Sequence, residues 1–181
     1  MLLTGLLVFA ALSAAWAAEK YENADLKITL EAPEGFVKVD EMPKDDDFIG
    51  KIVAVYASPD FENDGASLVI HHMDIPGGVD YDTFKGALAE QLKQVFGDSF
   101  ELVKQEDIKL AGREGFVLNF KSPGDGKMPT PDGKIPHHIG WVLLKDGDSK
   151  LIGLIYGSRE SAWEGTLPKF KASAKTAKAI E

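Results

Sequence analysis

Residues 81–96 change the rhythm of this chain. Elsewhere apolar residues alternate or gather in short β-branched runs. Within this stretch Tyr81, Phe84, Leu88, Leu92, Val95 and Phe96 recur every three or four residues, which is one face of a helix. Pro76-Gly77-Gly78 breaks the preceding pattern, Asp80 or Asp82 can cap the start, and Gly97 can close the end. The aromatic members of the stripe read as core rather than as a cofactor-binding surface.

Around this helix the signals are those of strands and tight turns. Residues 18–25 read as a short polar lead-in. "LKITLEAPEGFVKV" is a strand, a Pro-Glu-Gly turn at 33–35 and a short strand, and "MPKDDDF" is an acidic loop. "GKIVAVYAS" and "ASLVIHHMDI" form a hairpin about Asn63-Asp64-Gly65. "FELVKQEDIKL" and "GFVLNFKS" flank Ala111-Gly112-Arg113-Glu114, and "HHIGWVLLK" and "KLIGLIYGS" flank Asp146-Gly147-Asp148. In the last segment Trp163, Leu167, Phe170 and Ala174 share a helical face. Gly165 and Pro168 interrupt that face near its start, where Thr166 can cap a new turn. Lysines 169, 171, 175 and 178 suit the negative end of that helix. The order is hairpin, helix, two hairpins, helix. It predicts an α+β fold: an antiparallel β-sheet of about six or more strands, flanked by a middle helix and a C-terminal helix.

The first 17 residues read as an export signal. "LLTGLLVFAALSAA" is uncharged and apolar, and Ala15-Trp16-Ala17 puts small residues at the positions a signal peptidase needs. The run is short for a bilayer span, which takes about 20 apolar residues. Residues 18–181 are then expected as a single domain, periplasmic or secreted, without stable membrane insertion. No Lys or Arg precedes the run, a departure from the usual signal pattern. With no cysteine there is neither a disulfide framework nor an acceptor for a lipoprotein anchor. A net charge of −9 excludes the basic face that nucleic acid requires.

Chemistry is hard to find. Phosphate-binding glycine loops, the H-E-x-x-H pair and the G-x-S-x-G elbow are all missing, and without cysteine there is no thiolate nucleophile. "KDDDF" lacks the alternating ligands and closing Glu of an EF-hand, so it reads as a hydrated acidic loop. The four histidines fall in two doublets, His71-His72 and His137-His138, each on a strand. Neighbours in a strand point to opposite faces, so a divalent metal site could use one imidazole from each doublet. His72 or His71 would join His138 or His137, with Asp74 or Asp132 as the carboxylate. The plainer reading, and the one expected, is four polar residues on the strand rims without a cofactor. "KSPGDGKMPTPDGKIP" is long, rich in Pro and Gly, and internally repeated. Asp125, Lys127, Met128, Asp132 and Lys134 make it a candidate interaction loop.

Leu30-Glu31-Ala32-Pro33-Glu34-Gly35-Phe36 and, after the middle helix, Ile108-Lys109-Leu110-Ala111-Gly112-Arg113-Glu114-Gly115 are similar to phrases of the PsbP-like superfamily. That group includes photosystem II extrinsic PsbP-type proteins and bacterial periplasmic DcrB-like proteins. The resemblance spans nearly the whole of 18–181. It implies a binding or accessory protein rather than an enzyme, with no catalytic set to carry over. The expected role is protein–protein interaction in the cell envelope. The alternative is a metal-ion or small-ligand binder using one histidine from each doublet.

Overall fold

The computed structural model describes residues 18–40, 50–97, 100–122 and 137–180. The signal segment 1–17, the acidic loop and the Pro/Gly-rich loop with Asp125, Lys127, Met128, Asp132 and Lys134 lie outside them.

Seven strands form one antiparallel sheet. In chain order they are β3 (Val37–Lys38), β4 (Lys51–Ala57), β5 (Ser67–Asp74), β6 (Glu101–Leu110), β7 (Arg113–Ser122), β8 (His137–Lys145) and β9 (Lys150–Arg159). Across the sheet the order is β3-β4-β5-β9-β8-β7-β6. A second sheet has three strands, with β2 (Ile28–Glu31) between β1 (Lys20–Asn23) and β10 (Lys178–Ala179). The helices are the single turn α1 (Phe61–Asp64), α2 (Tyr81–Phe96) and α3 (Trp163–Lys175).

Alternation along the strands gives the large sheet two apolar faces, and each has its own cover. On one face α2 lays Phe84, Leu88, Leu92 and Phe96 over Phe116, Leu118, Phe120, Ile139, Trp141 and Leu143. Each such side chain removed from water contributes about 1.5–3 kcal/mol. The helix starts where expected: the Asp80 carboxylate accepts from Thr83 N at 2.9 Å and from the Thr83 hydroxyl at 2.8 Å. Gly97, at φ +74°, ends it. On the other face α3 and the small sheet pack Ile28, Leu30, Phe36, Trp163 and Phe170 against Leu68, Ile70, Val142, Leu144, Leu154 and Tyr156. Ser173 and Thr176 tie these two covers together. The Ser173 hydroxyl donates to Glu31 O at 2.5 Å, and Thr176 Oγ1 accepts from Glu31 N at 2.8 Å.

The three expected hairpins form, with details set by local chemistry. The β6–β7 turn is only Ala111-Gly112, both at positive φ (51° and 74°), and Arg113 and Glu114 already belong to β7. β2 and β3 form on either side of the Pro-Glu-Gly turn as expected, and they enter different sheets. Two expectations fail. The polar lead-in is a strand, because Tyr21 is buried opposite Leu30. Helix α3 is not interrupted: it runs through Pro168 on its exposed side. Thr166 therefore caps nothing. Its hydroxyl lies 3.2 Å from the Ala162 and Trp163 carbonyls and donates to Ser158 Oγ at 3.0 Å. After α3 the chain returns as β10, whose two residues are too few to show a period.

Candidate functional site

The two histidine doublets are not brought together. His71 is opposite Gly153 on β9 and His137 is opposite Arg159, six residues further along the same strand. His72 and His138, on the other face, are opposite Ile152 and Ser158, the same six-residue offset. At about 3.3 Å per residue that is roughly 20 Å. Two zinc–nitrogen bonds span about 4 Å. Asp74 is exposed at the end of β5, opposite Lys150, and Asp132 lies outside the described residues. Among the described residues no three His, Asp or Glu side chains gather where a metal ion could be held.

Two of the histidines, His71 and His137, are not rim residues, whereas His72 and His138 are half-buried. β5 and β8 are interior strands of a sheet covered on both faces, so His71 and His137 are 0% and 3% exposed. Trp141 Nε1 donates to His71 Nε2 at 2.8 Å. His71 Nε2 is thereby an acceptor, which makes the ring neutral with its proton on Nδ1. The ring lies over Gly153, where a Cβ would sit 1.7 Å from His71 Nε2, so only glycine fits opposite it. His137 packs at Gly65, the αL residue that ends α1: a Cβ on Gly65 would be 3.1 Å from His137 Nε2. His138 stacks on Trp163, centroids 4.0 Å apart and planes 16° from parallel. Burial, then the Lys121 ammonium, pushes the pKa of His138 below its ordinary value, against the smaller opposing pull of Glu160, Glu164 and Glu101.

His72 Nε2 lies 3.2 Å from Asp146 Oδ2, and Arg113 Nη1 donates to Asp146 Oδ1 at 2.5 Å. Arg113 also donates to Lys145 O at 3.2 Å and, through Nη2, to Leu26 O at 2.8 Å. Leu26 is in the β1–β2 turn. These bonds clamp the small sheet to the β8–β9 connection. Of the Asp146 carboxylate, Oδ1 accepts from Arg113, while Oδ2 is only within ion-pair distance of the His72 ring.

A concavity formed by described residues lies on the α3 face. Helix α3 covers β9 and the near part of β8 and stops short of the β6 edge. The groove between them has a volume of about 180 Å³. Its floor is Val117, Asn119, Gly140 and Val142, and its wall is Trp163, Leu167, Phe170 and Ala174. Glu106 and Lys171 are the charged residues lining it. Gly140 keeps the floor low, since a Cβ there would lie 3.0 Å from Asn119 Oδ1. Tyr156, at the bottom, is not an acid–base group: burial pushes its hydroxyl up to about 12. The groove holds no nucleophile beside a base. It is smaller than the roughly 300–1,000 Å³ pockets that enclose small molecules, and it is open along its length. What it can do is receive an apolar side chain.

Sequence reasoning placed Trp163 and Leu167 in the core and gave Asn119 no role. A signal was present: from Phe116 to Lys121 one alternate set is Phe, Leu, Phe and the other is Val, Asn, Lys. The second set marks a face that its cover leaves partly open.

No protein-family model matches the sequence, and no curated protein matches it. Solved structures do match. The chain is similar to the cyanobacterial PsbP protein CyanoP from Synechocystis sp. PCC 6803 at 13% identity and a TM-score of 0.61, covering 94% of this chain and 96% of that one. LpqN, involved in cell envelope biogenesis of Mycobacterium tuberculosis, matches at 12% identity and a TM-score of 0.62, covering 85% and 83%. The Saccharomyces cerevisiae Ran-binding protein Mog1p matches at 12% identity and a TM-score of 0.52, covering 91% and 96%. The likeness to CyanoP runs over nearly the whole of both chains, and the fold of this chain is PsbP-like.

Proposed function

We propose that this is an exported, non-enzymatic accessory protein that works by binding another protein in the cell envelope, with the groove beside α3 as its docking surface. The observation that carries the reading is the groove itself. It is apolar and aromatic, bordered by one acidic and one basic residue, and too open to hold a small substrate away from water. The contact segment it suits carries a large apolar side chain, with a basic residue to meet Glu106 and an acidic one to meet Lys171. The likeness to LpqN, a protein of envelope biogenesis, and to the Ran-binding Mog1p supports a binding role on this fold. The apolar segment ahead of Ala18 supports export, and no described helix is long and apolar enough to cross a membrane.

Cross-linking followed by affinity capture from the native envelope tests this, using the unaltered protein and Val117→Asp in parallel. A partner recovered with the first and lost with the second is the expected result. A partner recovered equally with both removes the groove from the account, and measurable turnover of a substrate removes the accessory role.

A further inference from the structure

The β6 strand is an outermost strand of the large sheet, ten residues long, with β7 on its inner side. Its backbone pattern follows from its turn. A two-residue connection makes Leu110 and Arg113 a hydrogen-bonded pair, so the groups bonded to β7 alternate back through Ile108 and Glu106. The N–H and C=O of Gln105, Asp107 and Lys109 therefore point outward. The strand is fastened from the α2 side: Gln105 Nε2 donates to Lys85 O at 3.2 Å, and Lys85 pairs with Asp107. The edge is held in place, and among the described residues no strand pairs with its outer side.

Its charges are self-complementary. Set a second β6 antiparallel to the first, with Gln105 opposite Gln105. The two glutamines exchange their outward backbone hydrogen bonds, and Lys104 faces Glu106 on both sides of the two-fold axis. An axis at Asp107 or at Lys109 would instead set like charges opposite each other. Lys104 and Glu106, 55% and 45% exposed, are already paired within the strand at 2.5 Å. In the dimer the four side chains would close into a ring of alternating sign. Leu102 and Val103, at 41% and 49% exposure two of the five exposed large hydrophobics among the described residues, lie on the same strand. The register shift between Leu102 and Lys104 limits the flat stretch, which makes the contact short and the association reversible.

We infer that β6 is a self-association edge: two copies pair β6 with β6 about Gln105 and join their seven-stranded sheets into one of fourteen. Glu106 borders both this edge and the groove, so the mass of the purified protein, measured with no partner present, is what tests the pairing apart from the groove. Sedimentation equilibrium of the purified protein across a concentration series tests it. The unaltered protein should move from monomer to twice that mass as concentration rises. Lys104→Glu and Glu106→Lys should each raise the dissociation constant about tenfold or more, because each creates two like-charge pairs. An equimolar mixture of the two variants should dimerise again, since each supplies the charge the other lacks. That recovery also shows that neither variant is misfolded. A monomer at every concentration, dimers of the single variants as tight as the unaltered protein, or a mixture that stays monomeric would each overturn the inference.

Discussion

The two faces of the large sheet are covered in different ways. One is sealed by a single helix: α2 sets four large side chains at helical spacing on the aromatic centre of β7 and β8. The other is shared between α3 and a three-stranded sheet assembled from both ends of the described chain, β1 and β2 from the start and β10 from the finish. The shared cover leaves part of the sheet open: the groove lies between α3 and the β6 edge, and no residue of the small sheet lines it. Ser173 and Thr176 tie the two covers together elsewhere, through Glu31. The sealed face contributes stability, and the shared face carries the proposed docking groove.

Attacks on the sealed face should have the largest effects. Leu92→Ala removes a fully buried side chain from the middle of α2 and should cost about 2–5 kcal/mol in urea unfolding, in one cooperative transition. Gly153→Ala forces a methyl group into the His71 ring. It should cost about 1–3 kcal/mol and disturb the indole N–H resonance of Trp141, the donor to that ring. On the shared face Arg113→Ala should cost less, about 1–2 kcal/mol, and locally. Amide exchange would speed up in β1, β2 and β10 while α2 keeps its protection. If α2 loosens equally, the two covers are one unit and the comparison fails.

The smallest effect is the pH response of His138. Its folded pKa lies below the ordinary 6.5. The unfolded chain therefore binds the proton more readily, and stability falls as pH drops below about 6.5 until the folded value is passed. His138→Gln should flatten that slope in melting curves recorded between pH 7 and 5. An unchanged slope would put its origin elsewhere.

The parts of this fold legible in the sequence are those with local causes. The middle helix has a periodic stripe, a capping Asp80 and a closing Gly97; Phe84, Leu88, Leu92 and Phe96 of that stripe are buried, whereas Val95, read into the same face, is exposed. The hairpins have Asn63-Asp64-Gly65, Ala111-Gly112 and Asp146-Gly147 at their turns. What was misread depends on neighbours far along the chain. His71 looks like a rim residue until β4 and β9 flank its strand and Trp141 reaches its ring. The doublets look like half-sites until the register sets them six residues apart. The groove depends on how far α3 reaches across β8, which no spacing within α3 encodes.

The central claim is that the groove beside α3, and not the sealed face, receives the partner. Affinity measured by calorimetry for the captured partner, with one substitution on each face, tests it most directly. Leu167→Glu alters the groove wall, and Val95→Glu alters the exposed side of α2. Leu167→Glu should weaken binding about thirtyfold or more, the range of an interface anchor, while Tm moves by only a few degrees. Val95→Glu should bind as the unaltered protein does. Equal affinity for Leu167→Glu and the unaltered protein, or a loss confined to Val95→Glu, would contradict the account.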